Sequence, residues 1–144
     1  MGIVLSCLKA VLVARGQAVL DGRLGLVTGQ YAFPLPVFLE QRQVVIASEN
    51  VMQRGLAAVR EELLSRRIVR LHPDISATEL PRTGRFRVWV RWHEISVDGT
   101  GDRWSDVIYY CREAGGSTRT EMLHYTQLSM PELRDTFATL AMSA

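Results

Sequence analysis

Lysine is nearly absent from this chain: Lys9 stands alone, and every other base is arginine. The net charge is +2 over 144 residues, too small to announce a nucleic-acid partner, and the arginine skew builds no basic patch. Arginine is also the base that grips a carboxylate in two places. Cysteine is scarce as well. Cys7 and Cys111 have no CxxC and no framework of spacings around them, which excludes a disulfide-stapled scaffold and fits reduced thiols in a cytoplasmic protein. No apolar run is long enough to span a bilayer. The stretch from Ile3 to Ala14 is interrupted by Lys9, follows no basic segment and precedes no small-residue cleavage site, so it reads as a buried helix and not a leader. The start Met1-Gly2-Ile3-Val4-Leu5-Ser6 matches the loose myristoylation pattern, which is short enough to be met by chance. No phosphate-cradling loop occurs: Gly99 and Gly101 sit in a hairpin connection with no helix after them. His72, His93 and His124 are scattered without metal-ligand spacing. No metal, cofactor, nucleic acid or membrane is expected.

What is present reads as one domain over residues 1–144, large enough to bury a single core. A first helix is predicted from Ile3 to Leu20, with Leu5, Leu8, Leu12 and Val19 at helical spacing and so little polar circumference that it should be covered on more than one side. Asp21-Gly22 breaks it, and a short second helix reaches towards Tyr31. The segment Tyr31 to Leu39 carries Pro34 and Pro36, which place it as a short edge strand, paired with Gln43 to Ala47 across Glu40-Gln41-Arg42. Ser48 is a good N-cap for an amphipathic helix whose stripe is Val51, Met52, Leu56, Val59 and Leu63, with Glu62 and Arg66 as an i,i+4 pair. Four strands follow: Ile68 to Glu79, Arg85 to Glu94, Arg103 to Arg112 and Thr118 to Gln127. In the second of these, Phe86, Val88, Val90 and Trp92 face one way and Arg85, Arg87, Trp89, Arg91 and His93 the other. Ala114-Gly115-Gly116 is a hairpin turn. Ser129-Met130-Pro131-Glu132 reads as a capping box opening a tail helix with Leu133, Phe137 and Leu140 on one face. A bent antiparallel sheet wrapped around earlier helices is a container.

This order resembles the NTF2-like, or SnoaL-like, superfamily over nearly the whole chain. The segments most like it are Tyr31-Ala32-Phe33-Pro34-Leu35 and Asp106-Val107-Ile108-Tyr109-Tyr110-Cys111-Arg112, with Gly115-Gly116 and Thr120-Glu121-Met122-Leu123 after them. The resemblance implies an α+β cone, helices packed against a strongly curved, mostly antiparallel sheet of about six strands, with an apolar cavity and a homodimeric state. The superfamily holds isomerases, dehydratases, cyclases, epoxide hydrolases and accessory subunits, so fold alone selects no activity. No catalytic residue carries over. Pro34 to Leu39 holds no carboxylate for the ketosteroid isomerase type, and Glu40 comes only at the turn. For the epoxide hydrolase type, Arg91 and Asp106 supply part of the constellation, but Arg91 faces away from Trp92.

Two functional readings follow from the residues. If Ala114, Gly115 and Gly116 form a three-residue loop, Asp106 lies opposite His124, Ile108 opposite Met122 and Tyr110 opposite Thr120, all on the concave face. Asp106 and His124 would then form an acid–base pair for a lyase, isomerase or cyclase, or a structural pair at the sheet rim. A two-residue loop would instead match Asp106 with Tyr125. The other reading is a small apolar or aromatic ligand, or an accessory role, with Tyr31, Phe33, Leu35, Trp92, Ile108, Tyr110 and Met122 lining a pocket. The same residues would also fill a plain core. A homodimer is expected through the convex sheet face, carried by Trp89, Arg87, Arg91, Tyr109 and Glu121, with arginines paired to Glu121 or Glu113 across it.

Overall fold

The first helix, α1 (Gly2–Asp21), stops where Gly22 takes a φ of 80°, a left-handed turn that suits glycine. The computed structural model describes residues 2–143, and the myristoylation-like start Met1 to Ser6 lies outside the described side chains. Leu12, Ala18, Val19 and Leu20 of α1 are buried, whereas Val11 and Val13 are 41% and 46% exposed. From residue 7 onward, this chain therefore covers α1 along one flank, not on several sides as its composition suggested. The short α2 (Leu24–Thr28) ends before Tyr31, which makes an isolated bridge to Thr120.

The strands are β1 (Leu35–Leu39), β2 (Arg42–Ile46), β3 (Ile68–Thr78), β4 (Arg85–Ser96), β5 (Arg103–Ala114) and β6 (Ser117–Gln127). They form one six-stranded sheet in the order β2-β1-β6-β5-β4-β3, antiparallel except for the parallel pair β1 and β6. The α+β cone expected from the sequence is the fold observed. Strand β1 is not an edge strand. It lies between β2 and β6, after a cis bond at Phe33-Pro34, and its pairing with β6 begins at Val37, one residue past Pro36. The missing proline donors thus fall beside the parallel ladder and not within it.

The amphipathic helix α3 (Glu49–Ser65) forms as expected. Ser48 Oγ accepts from the Val51 amide at 3.4 Å, Val51, Met52, Leu56 and Leu63 are buried, and Arg66 lies 3.6 Å from Glu62. The tail helix α4 (Leu133–Ser143) packs its Phe137 ring so close to α3 that a Cβ on Gly55 would clash with it. Its capping box does not form. The Ser129 hydroxyl is turned into the domain, where it donates to Glu94, and the turn before α4 is closed by backbone bonds from Leu133 to Met130 and from Arg134 to Pro131.

The β5–β6 register departs from expectation in a way that decides the site. Gly115 and Gly116 take φ of 58° and 81° and make a two-residue turn, so Ala114 pairs with Ser117. Irregularities between Tyr110 and Cys111 and between Asp106 and Val107 each add one more step. Asp106 consequently faces Gln127, while His124 faces Ile108. The alternation of β4 sets the faces: Val88 pairs with Tyr109 and Val90 with Val107, and all four are buried. The inner face of β5 is therefore Val107, Tyr109 and Cys111, and Asp106, Ile108 and Tyr110 look outward.

Candidate functional site

Between the sheet and the helices lies a cavity of about 120 Å³. Its walls are mostly aliphatic and aromatic: Val19 of α1, Met52 and Leu56 of α3, Phe137 of α4, and Leu71, Trp92 and Leu123 of the sheet. Helix α1 comes close enough to shape this wall because residue 16 is glycine. A Cβ there would sit 2.9 Å from Trp92 Cζ3 and 3.2 Å from Leu71 Cβ. A second hollow of about 410 Å³ adjoins the cavity and shares Arg15 and Tyr109 with it.

Arg15 is the charged group at the junction. Its Nε donates to Gln30 Oε1 at 3.0 Å, Nη2 donates to the same oxygen, and its guanidinium carbon lies 5.6 Å from the Tyr31 ring centre and 5.2 Å from that of Tyr109. Gln30 and Tyr31 are held by β6, since the Thr120 amide donates to the Gln30 carbonyl and the Ala32 amide to the Thr120 carbonyl, both at 2.9 Å. Among the described residues, Arg15 forms no ion pair; Glu113 lines the outer hollow but is not within pairing distance. Burial opposes the Arg15 charge, but the surrounding Tyr31 and Tyr109 phenols favour it, and its pKa is raised.

The phenols stay protonated. Burial pushes Tyr31 and Tyr109 above the ordinary phenol range, partly offset by Arg15, and burial with the neighbouring phenols pushes Tyr125 well above it. Tyr109 Oη accepts a 2.8 Å hydrogen bond from Trp92 Nε1, which aims the ring and leaves its own proton to donate. Cys111, buried beneath, has its thiol pushed up to about 11 by burial and is no nucleophile at neutral pH.

The opposite polar feature is Glu94, two residues beyond Trp92 on the same face of β4. It is 5% exposed. Arg66 Nη1 lies 2.8 Å from its Oε1, and the Ser129 hydroxyl donates to Oε2. Ser105 Oγ donates to Ser129 Oγ at 3.1 Å and accepts from the Ser129 amide at 3.0 Å.

Of the residues expected to form the site, Tyr31 and Trp92 line the cavity. Leu35 is fully buried in the core behind it, and Phe33 packs edge-on against Tyr31 at 6.5 Å. Ile108, Tyr110 and Met122 lie on the outer face, and Asp106 and His124 are neither opposite one another nor in the cavity. Asp106 accepts two hydrogen bonds from Arg91, of 2.8 and 3.1 Å, and the His124 ring lies tilted by 55° against Phe38, with ring centres 5.4 Å apart. Tyr109, expected on the convex face, is buried inside. The convex arginines find partners within the chain: Arg85 with Glu121, Arg87 with Glu79 and Arg91 with Asp106. Sequence reasoning passed over Arg15, Tyr125 and Glu94 as site residues. Glu94 carried a signal, because the alternation Phe86, Val88, Val90, Trp92 continues onto it.

Comparison with known proteins yields no matching family model and no matching curated protein. Solved structures do match. A Mycobacterium tuberculosis protein of unknown function is 6% identical, with a TM-score of 0.62 over 98% of this chain and 90% of its own. A protein from a Streptomyces species is 9% identical, with a TM-score of 0.62 over 83% of this chain and 87% of its own. An NTF2-like protein with a cystatin-like fold from Novosphingobium aromaticivorans is 10% identical, with a TM-score of 0.58 over 84% of this chain and 79% of its own. At these identities the likeness is one of fold. No described helix is long and apolar enough to cross a membrane.

Proposed function

We propose that this chain, an NTF2-like cone, binds a small, flat apolar or aromatic molecule that carries an anionic or carbonyl oxygen, acting as a carrier or an accessory subunit. The observation that carries the proposal is Arg15, a largely enclosed cation with no carboxylate partner among the described residues, standing at the wall of an apolar cavity. A cation taken out of water without a counter-ion is costly, and a ligand oxyanion offsets that cost. Tyr31 and Tyr109 add neutral donors around it. A cavity of this volume suits a single six-membered ring, since one of about 150 Å³ lined by aliphatic and aromatic groups holds benzene. The Asp106–His124 acid–base reading finds no support in the observed register.

The test is native mass spectrometry for a co-purified ligand, followed by calorimetric titration with benzoate, a ring with one carboxylate. Benzoate should bind, and Arg15→Met should weaken it about tenfold or more, the worth of a hydrogen bond to a charged group. Equal affinity in parent and variant would remove Arg15 from the site.

The homodimer expected from the sequence is also proposed, through the convex face that bears Trp89, Ile108, Tyr110 and Met122, all partly exposed. Arg87 stacks on Trp89 at 4.9 Å and Arg91 on Trp104 at 4.8 Å, and arginine and aromatic residues are the types enriched in interfaces. Light scattering should give twice the chain mass, and Trp89→Glu should halve it. A monomer mass for the parent protein ends this proposal.

A further inference from the structure

One phenol of the cavity wall has nothing to bond. Tyr125 stands on the inward face of β6, opposite the buried Val107 and two residues past the buried Leu123, and it lines the cavity. Tyr109 accepts from Trp92, but the Tyr125 hydroxyl makes no hydrogen bond with any described residue. The described side-chain atoms that are both sealed off and unpaired belong to Arg66, Glu94 and Trp104. The Tyr125 hydroxyl is unpaired and not among them, so it keeps open surface, and on this face that surface gives onto the cavity. Burial keeps the phenol protonated. An enclosed O–H is a donor that native proteins normally pair, and one that opens onto a cavity points to what fills it. Tyr109 and Tyr125 are diagonal neighbours across β5 and β6, about 7–8 Å apart at the backbone. A free donor thus stands one strand step beyond the Arg15 and Tyr109 end of the cavity.

We infer that Tyr125 Oη donates a hydrogen bond to a second oxygen of the ligand, set across the ring from the oxygen that meets Arg15. The second oxygen is uncharged, because Tyr125 is neutral and Arg15 is the one cation on the cavity wall among the described residues. This rests on the oxyanion reading of Arg15 given above. It narrows the ligand class from ring acids in general to those that carry a hydroxyl, carbonyl or ether oxygen on the ring, and it makes Tyr125 the residue that selects for that oxygen.

The experiment titrates the parent protein and Tyr125→Phe calorimetrically with benzoate, 3- and 4-hydroxybenzoate, and 3- and 4-methylbenzoate. A methyl group matches a hydroxyl in size and accepts no hydrogen bond. In the parent protein one hydroxybenzoate should bind about fivefold or more tightly than its methyl counterpart, since the methyl leaves the phenol unpaired. In Tyr125→Phe that preference should vanish while benzoate binding persists. The variant loses a hydroxyl that has no protein partner, so its urea midpoint should equal or exceed that of the parent; a clear fall would show a structural partner and overturn the inference. A preference that survives Tyr125→Phe also overturns it. Equal binding of hydroxy and methyl compounds by the parent protein overturns it as well, with water as the partner of the phenol, and leaves the Arg15 reading standing. Failure of all five compounds to bind overturns both.

Discussion

Gly16→Ala is the sharpest probe of how α1 meets the sheet. An added Cβ would lie 2.9 Å from Trp92 Cζ3, 3.2 Å from Leu71 Cβ and 3.3 Å from the Leu71 carbonyl oxygen, where ordinary contacts begin near about 3.5 Å. Helix propensity favours alanine over glycine by about 1 kcal/mol. Against that gain stand two losses. Overpacking against β3, whose backbone cannot yield, costs about 1–3 kcal/mol. The indole, which can yield, must swing into the cavity and give up its bond to Tyr109, at about 0.5–1.5 kcal/mol. The losses win, with a net destabilisation of about 2 kcal/mol and a fall in melting temperature of about 6 °C for a chain of this length. Urea unfolding followed by tryptophan fluorescence measures it, and benzoate titration should show a smaller, weaker site. Gly25→Ala is the internal control, because its Cβ would meet only Gln53 Nε2 at 3.7 Å; it should stabilise by about 0.5–1 kcal/mol. If Gly16→Ala stabilises by the same amount as Gly25→Ala, the close approach that shapes the cavity is wrong.

Tyr109→Phe strips Trp92 Nε1 of its acceptor and should cost about 1–3 kcal/mol in urea unfolding, the penalty of a buried unmade donor; an unchanged midpoint would contradict the geometry. Gly55→Ala should destabilise by about 1–3 kcal/mol despite better propensity, because its Cβ would strike the Phe137 ring, and adding Phe137→Leu should recover part of the loss. Alkaline pH should weaken the fold. Burial raises the Cys111 thiol from its ordinary value near 9 to about 11, so the unfolded chain releases that proton first. Its contribution is whole below about pH 9 and is lost as the pH climbs through about 11, at most about 2–3 kcal/mol, with the buried phenols acting in the same direction at higher pH. Stability that stays flat between about pH 8 and 11 would refute this. Native thiol titration with a disulfide reagent should count the exposed Cys7 at once and Cys111 only on unfolding.

Much of the architecture was legible because it rests on local periodicity. The alternation in β4 made its buried face readable, Ser48 and the stripe from Val51 to Leu63 located α3, and the order of elements pointed to a cone. Boundaries at Asp21-Gly22 and Gly115-Gly116 were readable for a related reason, since glycine marks where the backbone must take a positive φ.

Facing in β5 was not legible. Asp106, Ile108 and Tyr110 alternate with Val107, Tyr109 and Cys111, and both sets are apolar enough to line a core. A strand of that composition has no hydropathy vote on which side is in. Only pairing with β4, which brings Val88 against Tyr109 and Val90 against Val107, decides it, and two bulges within β5–β6 moved Asp106 further from His124 than any turn rule predicts. Arg15 was invisible for another reason: although it is the one arginine of α1, nothing along the helix tells that its tertiary neighbours are phenols instead of carboxylates. Which segments become helices and which become strands was written in residues a few positions apart, and so could be read along the chain. The cavity, the cation at its wall and the buried pair of Glu94 with Arg66 came only with folding, because each depends on register and on contacts between residues far apart in the chain.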